Sequence, residues 1–238
     1  MENKTAVLFI HGILGTPRHF DFLREILPEG FTAKSLLLPG HGGSTKDFGK
    51  SSMVHWSEQC ESALSELSKT HKRVLLVGHS MGSLLAVHLA LVHPYKVSGI
   101  FALAIPLCIR FGIKALASSL HTAFAPPEGD SPFQQACREA CSVKLSKNPF
   151  AYLPWIPRFL ELFALSREIR KAMPTLKVPC TLIQSARDEM VSPASLRFAS
   201  NAKTIVLPES FHYFYSEEDL GSILKEWNSF IAEHIERG

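Results

Sequence analysis

The chain has 238 residues, of which 46% are apolar, 20% charged and 10% aromatic. This length favours a single large α/β domain and is enough to bury a sizeable core. Lys and Arg number 25 against 22 Asp and Glu, a net charge of +3 without any long basic block, which argues against nucleic acid as a partner and against a funnel for acidic substrates.

The chain carries no sign of export, membrane insertion or metal binding. Apolar, strand-like sequence begins at Thr5, which leaves no room for a signal peptide. The longest nearly uninterrupted apolar stretch, residues 100–109, contains Pro106 and is too short to cross a bilayer. The five cysteines lack the spacing of zinc ligands. We therefore expect a cytoplasmic protein with reduced thiols, without stable membrane insertion, metal or cofactor.

Short apolar runs alternate with longer segments of helical period, a pattern typical of a parallel sheet covered by helices on both faces. Six runs rich in Val, Ile and Leu predict strands buried on both faces: residues 6–10, 33–38, 74–77, 99–104, 181–184 and 204–207. Helices are predicted from Thr16 to just before Pro28, and over residues 54–69, 81–92 and 217–235. The fold class is therefore α/β, with a mostly parallel six-stranded sheet.

One stretch breaks this alternation. From Pro106 to Leu176 no strand run occurs, while helical apolar patterns recur between prolines. We predict an inserted helical cap over residues 106–176, with residues 1–105 and 177–238 forming the core. The insertion is rich in aromatic side chains, and it would cover whatever site the core builds.

The most specific motif is Gly78-His79-Ser80-Met81-Gly82, which lies directly between a predicted strand and a predicted helix. In this context G-x-S-x-G forms a sharp turn that holds the serine hydroxyl clear of the sheet. Such a tight turn needs small residues on both sides of the serine. The serine also lies at a helix N-terminus, where developing negative charge is favoured. The alternative, a glycine-rich turn without chemistry, is weaker because both flanks of the motif fit.

A nucleophilic serine needs hydrogen-bond donors for the substrate oxygen. The first strand ends in His11-Gly12-Ile13-Leu14-Gly15, where Gly12 permits close backbone approach. We predict that the N–H groups of Ile13 and Met81 are these donors. His11 lies on the same side as these donors, and we interpret it as a side chain that orients the loop.

The serine also needs a base and a group that orients the base, in the chain order serine, acid, histidine. Among the eleven histidines, His212 follows a predicted strand late in the chain. Asp188 follows the strand before it and is the predicted acid. Glu189 is the rival carboxylate, but it stands one residue later, so we expect its side chain to point the other way.

Taken together, these motifs resemble those of the serine α/β-hydrolases, and most closely the small bacterial carboxylesterases and monoacylglycerol lipases. The likeness is carried by residues 11–15, 38–42, 78–82, 187–191 and 210–212. It implies the α/β-hydrolase fold, a catalytic triad of Ser80, Asp188 and His212, and oxyanion donors at Ile13 and Met81.

The resemblance also implies that the cap lies over an acyl pocket, whose lining we expect to include Leu14, Phe111, Phe159, Phe163 and Met190. Two positions depart from the family pattern. Phe211 precedes the histidine where relatives usually carry glycine, and Ser83 stands where a further glycine is common.

The implied activity is hydrolysis of carboxylic esters with short to medium acyl chains, monoacylglycerols included, through an acyl-enzyme on Ser80. The partner would be a small ester with an apolar acyl or aryl group. A thioesterase, an acyltransferase or a C–C bond hydrolase would use the same triad, so the triad does not separate them. A non-catalytic ligand-binding relative is disfavoured because neither the elbow nor the triad is broken. The acyl chain length, the natural alcohol and the oligomeric state stay open.

Overall fold

A computed structural model describes residues 5–110 and 126–235. Its strands are β1 (Thr5–Ile10), β2 (Phe31–Leu36), β3 (Arg73–His79), β4 (Gly99–Leu103), β5 (Cys180–Ser185) and β6 (Lys203–Leu207). They form one sheet in the order β2-β1-β3-β4-β5-β6, and every neighbouring pair is parallel. The predicted six-stranded parallel sheet is therefore confirmed.

The central strands are buried and the edge strands are not. β1, β4 and β5 are buried throughout, as is β3 apart from Arg73. Several residues of β2 and β6 are exposed, so the prediction that all six strands are buried on both faces is wrong for these two. The helices cover the middle of the sheet, which leaves side chains at its two edges open to solvent.

The helices of the described residues are α1 (Asp21–Arg24), α2 (Thr45–Lys50), α3 (Met53–Thr70), α4 (Met81–Val92), α5 (Pro132–Ala140), α6 (Ile156–Ala172) and α7 (Glu217–Ile235). The prediction of α3, α4 and α7 is confirmed to within one residue at each end. The first predicted helix is shorter than expected: a 3-10 turn (Pro17–Phe20) leads into α1, and residues 25–30 are used by the turns that enter β2. Among the described helices, none has both the length and the apolarity to span a membrane.

Two apolar clusters fill the two sides of the sheet, because alternate strand residues point to opposite faces. Leu8 and Leu76 face a cluster built with α3, α4 and α6. Val7 and Leu75 face a second cluster built with α1 and α7. The sheet is thus held between helices, with its carboxyl edge free to carry loops.

The described part of the predicted cap, residues 106–110 and 126–176, contains helices and no strand. Helix α6 packs against α4, and its side chains Leu162, Leu165 and Ile169 join the larger apolar cluster. This helix therefore also completes the crossover from β4 to β5. The division of the chain into core and cap stays a prediction.

Candidate active site

Ser80 lies in the turn between β3 and α4, with a φ of 52° and a ψ of −121°. Both motif glycines are required because backbone atoms of neighbouring segments lie too close for a side chain. A Cβ at position 78 would lie 2.5 Å from the Ser83 backbone, and one at position 82 would lie 1.9 Å from the Ile10 carbonyl oxygen. The small side chain of Ser83 fits where a further glycine is common, and its hydroxyl donates to the Leu103 carbonyl at 2.9 Å. The elbow is therefore built as its motif predicts.

Asp188 and His212 meet beyond the carboxyl ends of β5 and β6. The Asp188 carboxylate is 1% exposed. Its Oδ1 accepts from the N–H groups of Met190 and Val191 at 2.8 and 2.7 Å. Its Oδ2 accepts from Gln184 Nε2 at 3.0 Å and lies 2.8 Å from His212 Nδ1. Both oxygens are thus fixed, and the histidine is held by one of them.

The hydrogen bond to Asp188 decides which ring nitrogen of His212 carries the proton. Nδ1–H donates to the carboxylate, so Nε2 keeps its lone pair in the neutral ring. That Nε2 is buried and has no hydrogen-bond partner among the described residues. Burial acts to lower the pKa of His212, but the charge and hydrogen bond of Asp188 and the charge of Glu189 outweigh it and raise that pKa above its ordinary value.

His79 connects the elbow to the histidine loop. Its Nε2–H donates to the His212 carbonyl at 3.0 Å, and the two rings lie 4.8 Å apart between centroids. Ser80 follows His79 directly. No hydrogen bond joins Ser80 Oγ to His212 Nε2 in the part of the chain that the structure describes. Such bonds are often long before substrate binds.

The loop after β1 lies against Ser80, since a Cβ at Gly12 would be 3.0 Å from the Ser80 Cβ. Leu14 has a φ of 59°, and its N–H donates to His41 Nε2 at 3.1 Å. That N–H is therefore occupied within the protein. Among the described contacts, the N–H groups of Ile13 and Met81 have no acceptor, as the predicted oxyanion donors require.

Two buried histidines brace this loop. His11 accepts from the Leu38 N–H at 3.1 Å and donates to the Gly12 carbonyl at 2.8 Å. His41 accepts from Leu14 and donates to the Leu38 carbonyl at 3.2 Å. A ring that both donates and accepts is neutral, and burial accordingly lowers the pKa of His11 to about 3 and of His41 to about 4. His11 orients the loop, as its position in the sequence suggests.

The predicted pocket residues lie in different elements. Leu14 is in the loop after β1, and Met190 follows Asp188 in the acid turn; both are half-buried. Phe159 and Phe163 lie half-buried on α6, and Leu14 and Phe159 pack against the same apolar cluster. Phe111 lies outside the described residues. The pocket as a whole stays a prediction.

Sequence reasoning missed several residues that shape the site. His41 belongs to a quoted motif, but no chemistry was assigned to it. Ser142, from the predicted cap, donates its hydroxyl to the Gly15 carbonyl at 2.6 Å and its N–H to the Leu14 carbonyl at 2.8 Å. Asp219 accepts from the Ser210 hydroxyl at 2.7 Å in the loop before His212. These contacts link distant segments and leave no local motif.

A family model matches residues 7–220 of the chain; it describes the alpha/beta hydrolase family. The chain belongs to this family. The prediction from its motifs is confirmed. No group of three metal-binding side chains occurs within residues 5–110 and 126–235.

Similar proteins include lipases. A thermostable monoacylglycerol lipase from Bacillus sp. (strain H-257) is 26% identical over 242 residues, covering 98% of this chain and 92% of that protein. A structure from a study of LipS and LipT, two metagenome-derived lipolytic enzymes, has a TM-score of 0.74 at 22% identity and covers 98% of this chain and 96% of its own.

A soluble variant of monoglyceride lipase from Saccharomyces cerevisiae, in complex with a substrate analog, has a TM-score of 0.72 at 14% identity and covers 98% of this chain and 87% of its own. The two structures show the fold. The family match and the Bacillus lipase confirm the prediction of an ester-hydrolysing enzyme.

Proposed function

We propose that this α/β hydrolase is a serine carboxylesterase that acts through an acyl-enzyme on Ser80. The observation that carries the proposal is the buried Asp188–His212 pair, whose second ring nitrogen has no hydrogen-bond partner among residues 5–110 and 126–235, together with a serine held in a strained elbow. A serine in such a turn, with an oriented neutral imidazole nearby, has the parts required for acyl transfer.

The reaction begins with attack of Ser80 Oγ on the ester carbonyl carbon, while its proton moves to His212 Nε2. Asp188 stabilises the resulting imidazolium and keeps the ring in the required tautomer. The carbonyl oxygen becomes an oxyanion, which accepts hydrogen bonds from the Ile13 and Met81 N–H groups. The carbon–oxygen bond to the alcohol then breaks, and His212 gives its proton to the leaving alkoxide.

Release of the acid repeats these steps with water. The oxygen of a water molecule attacks the acyl carbon while His212 takes a proton from that water. The bond between the acyl carbon and Ser80 Oγ then breaks, and His212 returns the proton to the serine. The free acid then leaves.

The proposed substrates are esters of short to medium acyl chains, monoacylglycerols among them. The lipase relatives support this class, and so do the half-buried apolar side chains of Leu14 and Met190 beside the proposed machinery. In this proposal residues 106–176 form the cap, and Phe159 and Phe163 line the acyl pocket.

The test is hydrolysis of p-nitrophenyl esters from acetate to laurate, and of monoacylglycerols of the same chain lengths. We expect turnover by the native chain and a loss of more than about a thousandfold in Ser80→Ala. Ser62→Ala, on the exposed face of α3, is the control and should match the native rate. Mass spectrometry after fluorophosphonate treatment should place one adduct on Ser80.

Two results would contradict the proposal. Ester turnover that survives in Ser80→Ala would exclude Ser80 as the nucleophile. A native, folded chain without turnover on any ester would redirect the assignment to thioesters, acyl transfer or C–C substrates.

A further inference from the structure

A second carboxylate, Glu189, lies beside the Asp188–His212 pair and has no part in the mechanism above. Its Oε2 accepts a hydrogen bond from the His212 backbone N–H at 3.2 Å. The side chain is half-buried, and burial raises the pKa of its carboxyl group. Burying a carboxylate costs free energy that its contacts must offset, so its position next to the reacting histidine requires a reason.

The turn after β5 directs the two consecutive carboxylates to different parts of the same histidine. Asp188 is fixed by the N–H groups of Met190 and Val191, and it accepts a hydrogen bond from the His212 ring. Glu189 follows it and accepts a hydrogen bond from the main-chain N–H of His212. The histidine is therefore held by its side chain and by its backbone from one turn.

Glu189 is one of several contacts that fix this loop: it accepts from the His212 N–H, while His79 donates to the His212 carbonyl. Asp219 fixes the start of this loop through the Ser210 hydroxyl and the Glu209 N–H. Asp188 fixes the imidazole at the tip. The contact from Glu189 lies between them, at the backbone of His212 itself. A shift of this backbone would move Nε2 relative to Ser80, and small displacements of reacting groups cost rate.

Glu189 also acts through its charge. The titratable groups that face His212 and its partners come from several elements: Asp188, Glu189, His79, His19, Tyr213, Tyr215, Cys137 and Cys141. Burial lowers the pKa of His19 and His79 and raises that of both tyrosines and of both cysteine thiols. These groups are uncharged near neutral pH. The two carboxylates are thus the charges among them, and both favour the imidazolium.

We propose that Glu189 is a positioning residue for His212, which fixes the histidine backbone and whose negative charge favours the imidazolium formed when Ser80 is deprotonated. The inference rests on the proposed function, since it assigns Glu189 a part in the same step. It predicts that two variants of Glu189 separate the effect of the backbone hydrogen bond from the effect of the negative charge.

Glu189→Gln keeps an oxygen that can accept the His212 N–H but removes the charge. Glu189→Ala removes both. We expect Glu189→Ala to lower kcat by about tenfold or more with KM nearly unchanged, because the loss falls on the orientation of the base. We expect Glu189→Gln to recover most of kcat above pH 8. Glu209→Gln is the matched control: its carboxylate is in the same loop, is about half exposed and pairs with Arg187, so native kinetics are expected.

The pH profile distinguishes the charge from a merely structural contact. The Glu189 charge raises the pKa of His212, so its removal lowers that pKa, and the neutral base persists to lower pH. The acid limb of kcat/KM should therefore shift to lower pH in Glu189→Gln and stay in place in Glu209→Gln. Native kcat in Glu189→Ala, or an unshifted limb in Glu189→Gln, would overturn the proposal.

A second readout does not need turnover. In ¹⁵N-histidine-labelled protein, the His212 ring signals, assigned by their loss in His212→Gln, should titrate at lower pH in Glu189→Gln than in the native chain. This result decides the matter if Glu189→Ala does not fold. A shifted titration without any ester turnover would contradict the proposed function alone. Ester turnover that depends on Ser80 but is indifferent to Glu189 would contradict the present inference alone.

Discussion

Ser80 is held in a conformation that L residues rarely adopt, and the hydrogen bonds on both sides of it show how. Its N–H donates to the Leu103 carbonyl, and its own carbonyl accepts from the Ser83 N–H, each at 2.9 Å. The elbow is thus tied to β4 on one side and to the first turn of α4 on the other. The motif glycines serve a different purpose: Gly82 lets α4 approach β1, and Gly78 lets the first turn of α4 lie against the end of β3.

We expect Gly82→Ala to destabilise the fold by more than about 3 kcal/mol, because the new Cβ would meet backbone atoms that cannot relax. The measurement is urea unfolding at equilibrium. Gly221→Ala is the control: it lies inside α7, and a Cβ there meets nothing within 4 Å. That substitution should stabilise the chain by about 0.5–1 kcal/mol. Equal stabilities for the two variants would show that the close approach of α4 to β1 is not needed.

Motif residues could be predicted from the sequence because their requirements are local. The glycines of the elbow, the serine between them and the order of acid and histidine all follow from one turn or one strand end. Glu189 shows the limit of such reasoning. The spacing indicated that it points away from the ring, but not that it reaches the backbone of a residue 23 positions later.

At the scale of elements, helix α5 and the residues after it connect two loops of the proposed site. Phe133, in its first turn, packs against Phe211 with ring centroids 4.9 Å apart. Ser142, just beyond its end, bonds to the carbonyls of Leu14 and Gly15, and accepts from the Gly42 N–H at 3.2 Å. Phe211 therefore serves as a contact between the histidine loop and this helix.

We expect Ser142→Ala to lower kcat by about threefold to tenfold, because loss of roughly one net hydrogen bond lets the Ile13 N–H drift from the oxyanion. The KM should change less, and the protein should stay folded. Ser146→Ala is a suitable control, since its hydroxyl accepts from the Asn148 N–H and so stays within the same insertion. Steady-state kinetics on one p-nitrophenyl ester measure the effect. A native kcat in Ser142→Ala would contradict the prediction that Ser142 holds the loop of the oxyanion donor in place.

The elements themselves follow from the sequence to different degrees. The apolar period of α3 and α4 and the acidic start of α7 are properties of the segments, and their prediction is confirmed. The burial of β2 and β6 depends on where a strand lies in the sheet, and a run of apolar residues does not encode that. The partners of Ser142 are about 100 or more residues away, so no periodicity could indicate them.

At the scale of the whole molecule, buried histidines make the fold sensitive to acid. Desolvation lowers the pKa of His11 to about 3 and of His41 to about 4, and it holds the pKa of His79 well below the ordinary value. In the unfolded chain each would take up a proton near pH 6.5. The stability that depends on their neutral form is therefore present above that pH and is lost as the pH falls toward 4. His212 has the opposite sign, but it is one group against four, since burial also lowers the pKa of His19 to about 3.

We expect the free energy of unfolding to fall below pH 6.5 by about 1.4 kcal/mol per pH unit for each of these histidines. Urea unfolding between pH 7 and pH 4.5 measures this slope. His79→Gln should reduce the slope, while His55→Gln, a change at an exposed position of α3, should not. A slope that is flat in the native chain would show that the buried rings accept protons without loss of structure.

The backbone conformation that places Ser80 for turnover lowers the stability of the folded chain. A left-handed backbone at a residue with a side chain costs about 1–3 kcal/mol, and glycine would adopt the φ of 52° found there without that cost. A chain with glycine at this position would be more stable and would have no nucleophile. Variants collected for resistance to heat alone would thus be drawn toward loss of the serine, and a search for a more robust enzyme has to select for activity in the same step.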